Sequence, residues 1–119
     1  MAGIKIIIMN TLRNKVQLIG NLGNDPEIIN LESGKKLAKF SIATNESYKN
    51  SKGEKVTDTQ WHNVVAWGKT AEIIEKYVTK GKEVAIEGKL TSRSYETKEG
   101  EKRYITEVVC NELLMIGNK

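Results

Sequence analysis

The sequence predicts an all-β domain of five strands with one α-helix between the third and fourth strands. Three observations favour this class. Apolar and polar residues alternate through most of the chain, as they do in strands with one buried face. The period lengthens to about 3.6 in one segment, directly after Gly68. The 119 residues, with 39% hydrophobic and 29% charged side chains and one proline, suit a single folded domain.

The N-terminal residues are predicted to precede this domain. Their apolar run is interrupted by Lys5, is far shorter than the roughly 20 residues of a membrane span and lacks a secretory cleavage site. Met9 reads as a second start. We therefore assign residues 1–9 to an N-terminal extension and residues 10–117 to the domain.

The sequence of the first half of the domain predicts two strands and a long loop. Lys15 to Leu22 is the first strand, because it is rich in branched residues and ends at the turn sequence Gly-Asn-Asp-Pro. Residues 27–31 form a weaker extended piece. Leu37 to Thr44 is the second strand and turns Ala38, Phe40 and Ile42 toward the core. The polar stretch 45–59 predicts a loop.

The third strand, Gln60 to Trp67, carries both tryptophans. Side chains in a strand point alternately to its two faces, so odd positions share one face and even positions share the other. Trp61 and Trp67 thus lie together, and His62 lies opposite them. Either tryptophan alone is also compatible with core packing, and His62 with either a packing residue or a subunit interface.

The helix follows Gly68. Its apolar stripe consists of Ala71, Ile74 and Val78, widened by Ile73 and Tyr77. Thr70 is the predicted N-cap, Glu72 lies in the first turn, and Gly81 marks the C-terminal end. Like Phe40, Tyr77 is assigned to the core.

The last two strands form a hairpin. Val84 to Leu90 alternates and continues to Thr97, residues 98–101 form the turn, and Arg103 to Cys110 returns. This turn places Tyr95 opposite Tyr104 as a cross-strand pair. Cys110 is predicted to be a small buried apolar residue. The order β-β-β-α-β-β matches the five-stranded Greek-key barrel of the OB-fold.

Such barrels bind oligonucleotides or oligosaccharides on one face. Single-stranded nucleic acid requires aromatic rings for stacking and cations for phosphates. The predicted stacking residues are Tyr48, Trp61, Trp67 and Tyr95. The predicted phosphate contacts are Lys49, Lys52, Lys69, Lys80, Lys89 and Arg93. A net charge of +4 is modest for this role, so each lysine is also compatible with a solvated surface.

Other chemistry finds little support in the composition. One cysteine and one histidine form neither an intramolecular disulfide nor a structural zinc site. No nucleophile or phosphate-loop motif is present. We expect no catalytic residue, no cofactor and no membrane association, and a reducing cytoplasmic location.

Four segments together resemble the bacterial single-stranded DNA-binding protein family. They are residues 14–27 (NKVQLIGNLGNDPE), 61–69 (WHNVVAWGK), 81–88 (GKEVAIEG) and 106–108 (TEV). The resemblance implies an OB-fold homotetramer, associated with the nucleoid, that coats single-stranded DNA in replication, recombination and repair. It implies stacking by the same four aromatics and places His62 near a subunit interface. Asn63 stands where many members have arginine.

The family's flexible linker and acidic C-terminal tip have no counterpart, since the sequence stops at Gly117-Asn118-Lys119. We expect a tail-less or truncated member, for which recruitment of replication and repair proteins is not implied. Two alternatives remain open at this point. One is a primosome-type or RNA-binding OB module, and the other is a protein-assembly module.

Overall fold

The computed structural model describes residues 13–117, which form six strands and one helix. The elements in chain order are β1 (Val16–Leu22), β2 (Glu27–Asn30), β3 (Lys36–Lys49), β4 (Lys55–Trp67), α1 (Gly68–Tyr77), β5 (Glu83–Glu96) and β6 (Lys102–Met115). The weak extended piece of the sequence is the short strand β2. The predicted extension, residues 1–9, lies outside the described residues.

The sheet closes into a barrel. Its strand order is β1-β5-β6-β4-β3-β2, and β1 also pairs with β3, so five strands form a ring with β2 added outside β3. The pairing of β4 with β6 is parallel, through Val64 with Val108, and the other pairings are antiparallel. This five-stranded barrel, with its helix between β4 and β5, confirms the predicted OB-fold.

Even-numbered residues of β3 and β4 fill the barrel. Ala38, Phe40 and Ile42 are all buried, as predicted, and Val64 packs with them. Burying a side chain such as Ile42 stabilises the fold by about 1.5–3 kcal/mol. Cys110 is also buried, and desolvation raises the pKa of its thiol to about 11. The thiol therefore stays protonated near neutral pH, in line with its predicted apolar role.

The helix begins earlier than predicted. It starts at Gly68 directly after β4, so Thr70 is inside it rather than at its N-cap, and no side chain caps it. Glu72 accordingly falls beyond the first turn, and the helix ends at Tyr77 rather than near Gly81. The prediction that Tyr77 is a core residue was wrong, since it is 57% exposed.

A narrow helical stripe explains the exposure of Tyr77. Ala71, Ile74 and Val78 are buried and close one end of the barrel. At about 100° per residue, Tyr77 points about 90° away from the centre of that stripe. Ile73 points still further away and is also exposed. The helix thus contacts the barrel through a single line of side chains.

The predicted loop 45–59 is a β-hairpin. β3 and β4 stay paired as far as Lys49 and Lys55, beyond the barrel itself. The Asn50 side-chain oxygen accepts hydrogen bonds from the backbone N–H groups of Lys52 (2.9 Å) and Glu54 (3.0 Å), which fixes the turn. Both faces of this projecting ribbon are exposed to solvent, so its sequence lacks the alternation that marks a half-buried strand.

The β5–β6 hairpin has a different register from the predicted one. Tyr95 pairs with Arg103, and Tyr104 pairs with Ser94, so the two tyrosines lie on opposite faces. The turn has an odd number of residues: the Thr97 N–H bonds the Glu101 carbonyl, and Gly100 adopts a φ of 85°. This is the pattern of a type I turn followed by a left-handed residue. The prediction of a Tyr95–Tyr104 cross-strand pair was therefore wrong.

Candidate nucleic-acid interface

Odd-numbered residues of four adjacent strands form the outer face of the barrel. The β3–β4 register pairs Ala43 with Trp61 and Leu37 with Trp67, which puts both tryptophans on this face. β4 continues to β6 through Val65 and Val109, and β6 pairs with the part of β5 that carries Arg93. The two tryptophans are 62% and 45% exposed, respectively. They are therefore surface rings, not core residues.

The β1–β2 loop supports the Trp61 ring. A Cβ atom on Gly23 would lie 2.4 Å from Cζ3 of Trp61, so the ring rests on the glycine backbone. The neighbouring Asn24 Oδ1 accepts hydrogen bonds from the Ser41 N–H (3.1 Å) and hydroxyl (2.9 Å). These bonds hold the loop against β3. The ring is consequently placed by a fixed surface and leaves one face open to solvent.

Two adjoining grooves run along the outer face. One, of about 310 Å³, reaches Asn24 and Ser41 beside the loop that supports Trp61. The other, of about 470 Å³, is bordered by Trp67. They share four lining residues, namely Lys39, Val65, Arg93 and Glu107. We call these two spaces together the central groove.

Arg93 and Glu107 form an ion pair in the central groove. Nε of Arg93 donates to Oε1 of Glu107 at 3.1 Å, and Nη2 donates to Oε2 at 3.3 Å. Glu107 is 7% exposed and is the one buried charged residue in the described part of the chain. Its carboxylate raises the pKa of the Arg93 guanidinium, chiefly through the hydrogen bond. The predicted phosphate contact Arg93 thus already has an anionic partner.

Two more predicted residues lie on the same face. Tyr95 and Lys89 alternate with Arg93 along β5, and Tyr95 is 46% exposed. Tyr48 differs, because it pairs with Val56 and projects from the opposite face of the β3–β4 ladder. Three of the four predicted stacking residues therefore share a strand face, and Tyr48 does not.

The remaining predicted cations occupy turns and element ends. Lys49 and Lys52 lie at the tip of the β3–β4 hairpin, and Lys69 is the second residue of α1. Lys80 lies between α1 and β5, where its backbone N–H donates to Oδ1 of Asp25 at 2.8 Å. That bond fixes the Lys80 backbone beside the β1–β2 loop. All four side chains are exposed.

His62 lies on the face opposite the tryptophans, as predicted. Its Nε2 is 3.0 Å from the Thr44 hydroxyl, and the pair is half-buried. Within one chain, its ring therefore has a hydrogen-bond partner. Among residues 13–117 no cluster of three or more His, Cys, Asp or Glu side chains is arranged to hold a metal ion. No helix in the described range is long and apolar enough to cross a membrane.

Sequence reasoning missed Lys39 and Glu107. Lys39 lines both parts of the central groove and pairs with Val65 in the β3–β4 ladder. Its signal was its odd position between the core residues Ala38 and Phe40, which turns it outward. Glu107 carried a similar signal, since it precedes the buried Val108. The groove itself is formed between strands, so the sequence does not show that these two residues line it.

The fold and this face define a class of protein, namely an OB-fold domain with exposed aromatic rings and cations beside a groove on its outer face. The chain belongs to the single-strand binding protein family, whose profile matches residues 13–116.

The chain is similar to curated members of this family. It is 49% identical over 107 residues to single-stranded DNA-binding protein 1 of Chlorobaculum tepidum, and 44% identical over 107 residues to the protein of the same name from Xylella fastidiosa. The alignments cover 89% of this chain, 66% of the first relative and 79% of the second. The chain thus spans about two thirds of the first relative's length.

The chain is also similar to a solved structure. The structure described as a Plasmodium falciparum SSB complex with ssDNA matches with a TM-score of 0.78 and 34% identity. The match covers 87% of this chain and 95% of that one.

Proposed function

We propose that this protein binds and coats single-stranded DNA with little sequence preference, in DNA replication, recombination and repair. The observation that carries the proposal is one barrel face that holds two exposed tryptophans together with the central groove, which Trp67 lines. Membership in the family supports it. The similar structure from Plasmodium falciparum, described as a complex with ssDNA, supports it as well.

The chemistry of this face suits unpaired bases. Any base can stack on an indole ring, at roughly 1–3 kcal/mol per base, so stacking on Trp61 and Trp67 is tolerant of sequence. Paired bases inside a duplex offer no such free face. Lysine ammonium groups around the rings attract the phosphates between the stacked bases. The proposed action is binding alone, without catalysis or a cofactor.

We assign stacking to Tyr48, Trp61, Trp67 and Tyr95. We assign phosphate contacts to Lys49, Lys52, Lys69, Lys80, Lys89 and Arg93, the last as one member of an ion pair with Glu107. Lys39 joins the second group because it lines the central groove. Tyr48 projects from the other side of its ladder, so it would stack on a base only where the strand passes around the projecting hairpin.

We also propose that the protein assembles as a homotetramer and acts in the cytoplasm at the nucleoid. An apolar surface away from the central groove supports assembly. There, Ile19 is 60% exposed and Leu114 is 67% exposed, beside a groove of about 520 Å³ that both residues line. Exposed apolar patches of this kind mark contact surfaces. His62 is assigned to a subunit interface on the family resemblance.

Intrinsic fluorescence tests the binding proposal. Addition of oligo(dT) is expected to quench tryptophan emission strongly, while duplex DNA of equal length changes it little. Affinity should fall with salt at a slope of about −0.7 per neutralised phosphate. A solution mass measurement on the same sample tests the tetramer.

Other results would select the alternatives. Tighter binding of oligo(U) than of oligo(dT) would identify an RNA-binding module. A lack of quenching by either oligonucleotide would contradict nucleic-acid binding and favour a protein-assembly module.

A further inference from the structure

The buried carboxylate of Glu107 is an unexpected group in a groove for a polyanion. It is 7% exposed and lines both parts of the central groove. A carboxylate loses much solvation energy on burial unless it is paired and hydrogen-bonded. Here the Arg93 guanidinium supplies both hydrogen bonds. The pair therefore accounts for the burial of the charge.

The same geometry limits what Arg93 can do. Two N–H groups on one edge of its guanidinium are directed at Glu107, at 3.1 and 3.3 Å. Bidentate pairs of this kind are among the stronger and more specific ion pairs. The charge that Arg93 would offer to a phosphate is already balanced by a carboxylate in the same groove.

Lys39 provides the contrast within the groove. It lines the same two spaces, and no ion pair of its side chain occurs among residues 13–117. Its ammonium group is therefore a full positive charge toward a bound strand. The two cations of the central groove differ in their electrostatic effect, although both carry one formal charge.

We propose that Glu107 limits the affinity of the central groove for single-stranded DNA by balancing the charge of Arg93. Glu107 is thus a positioning residue, which acts through Arg93 rather than by touching the nucleic acid. The inference rests on the proposed function. It predicts that the pair contributes almost nothing to the salt dependence of binding, whereas Lys39 contributes about one phosphate.

The test compares four variants in salt titrations with oligo(dT). Glu107→Gln keeps the side-chain size and releases the Arg93 charge, so binding should tighten and the salt slope should steepen by about 0.7. Between 50 and 200 mM salt, the steeper slope means that Glu107→Gln loses roughly 2.6-fold more affinity than the wild-type protein does. Arg93→Gln should weaken binding, because it leaves Glu107 unbalanced. The double variant R93Q/E107Q should restore nearly the wild-type affinity and slope.

Lys39→Gln is the fourth variant and should flatten the slope by about 0.7. Glu75→Gln is the control for net charge. Glu75 pairs with Lys36 at 2.5 Å, and neither residue lines the central groove. It raises the net charge of the protein as Glu107→Gln does, and should leave the slope unchanged.

Two results would overturn the inference. One is a double variant that binds as weakly as Arg93→Gln, because Arg93 would then contact phosphate as a free cation. The other is a Glu107→Gln variant that is folded by circular dichroism and shows the wild-type slope. If Glu107→Gln folds poorly, the affinity of the double variant relative to that of Arg93→Gln tests the inference instead. Failure of the wild-type protein to bind oligo(dT) would instead refute the proposed function.

Discussion

Replacing Trp61 by alanine should weaken binding of single-stranded DNA, whereas an equally destabilising replacement of an aromatic elsewhere should not. The ring is 62% exposed and lies against Gly23, next to Asn24, which lines the central groove. Tyr77→Ala is its matched control. Tyr77 is an aromatic residue of similar exposure, 57%, on the helix rather than on the outer barrel face that carries Trp61.

The sizes of the two effects follow from burial and stacking. A fully buried aromatic covers about 150–250 Å², so the covered part of either ring is about 80 Å². At about 25 cal/mol per Å², each substitution costs at most about 2 kcal/mol of the free energy of unfolding. Loss of one stacked base on Trp61 costs a further 1–3 kcal/mol of binding, or about 5-fold to 150-fold in affinity.

Anisotropy of a labelled oligo(dT) measures affinity without using the tryptophan signal, and thermal unfolding by circular dichroism measures stability. We expect both variants to unfold at similar, slightly lower temperatures and only Trp61→Ala to lose affinity. Equal losses of affinity in the two variants would refute the reasoning, since binding would then follow stability rather than stacking.

Two further predictions concern single residues. Gly23→Ala should displace the Trp61 ring, because the new Cβ would lie 2.4 Å from Cζ3; we expect a shifted emission maximum and an affinity several-fold lower, and an unchanged spectrum with unchanged affinity would contradict this. Cys110 should resist thiol reagents in the folded protein and react on denaturation. Burial raises the pKa of the Cys110 thiol from 9.0 to about 11, so the folded state binds this proton more tightly than the unfolded state. The thiol should therefore leave the free energy of unfolding unchanged below pH 9 and lower it between pH 9 and about 11. The same fall in stability in Cys110→Ala would exclude this cause.

The barrel and its core could be predicted from the sequence because burial leaves a periodic trace. Phe40 and Ile42 alternate with outward residues, and both are buried. The alternation of side chains also placed the two tryptophans together on the outer face of β4 and His62 on the opposite face. Each of these predictions depends only on the alternation of side chains within one strand.

Features that depend on packing between elements were harder to predict from the sequence. The β3–β4 hairpin continues past the barrel, where neither face is buried and no alternation marks it. Tyr77 lies about 90° off a stripe whose width is set by the barrel end that the helix covers. The Arg93–Glu107 pair joins two strands, so neither residue's environment follows from its own strand.

The β5–β6 register shows how the core decides what a turn sequence leaves open. A turn that paired Tyr95 with Tyr104 would shift β6 by one residue relative to β5, and a shift of one residue exchanges the two faces of a strand. Glu107 would then point into the barrel, and Val108 would point to solvent. The observed odd-numbered turn, with Gly100 at a φ of 85°, avoids burying an unpaired carboxylate in the core. Because Val108 must be buried, Glu107 must face outward, and on that face Arg93 is the cation that pairs with it. The burial pattern of β6 thereby fixes the ion pair in the central groove.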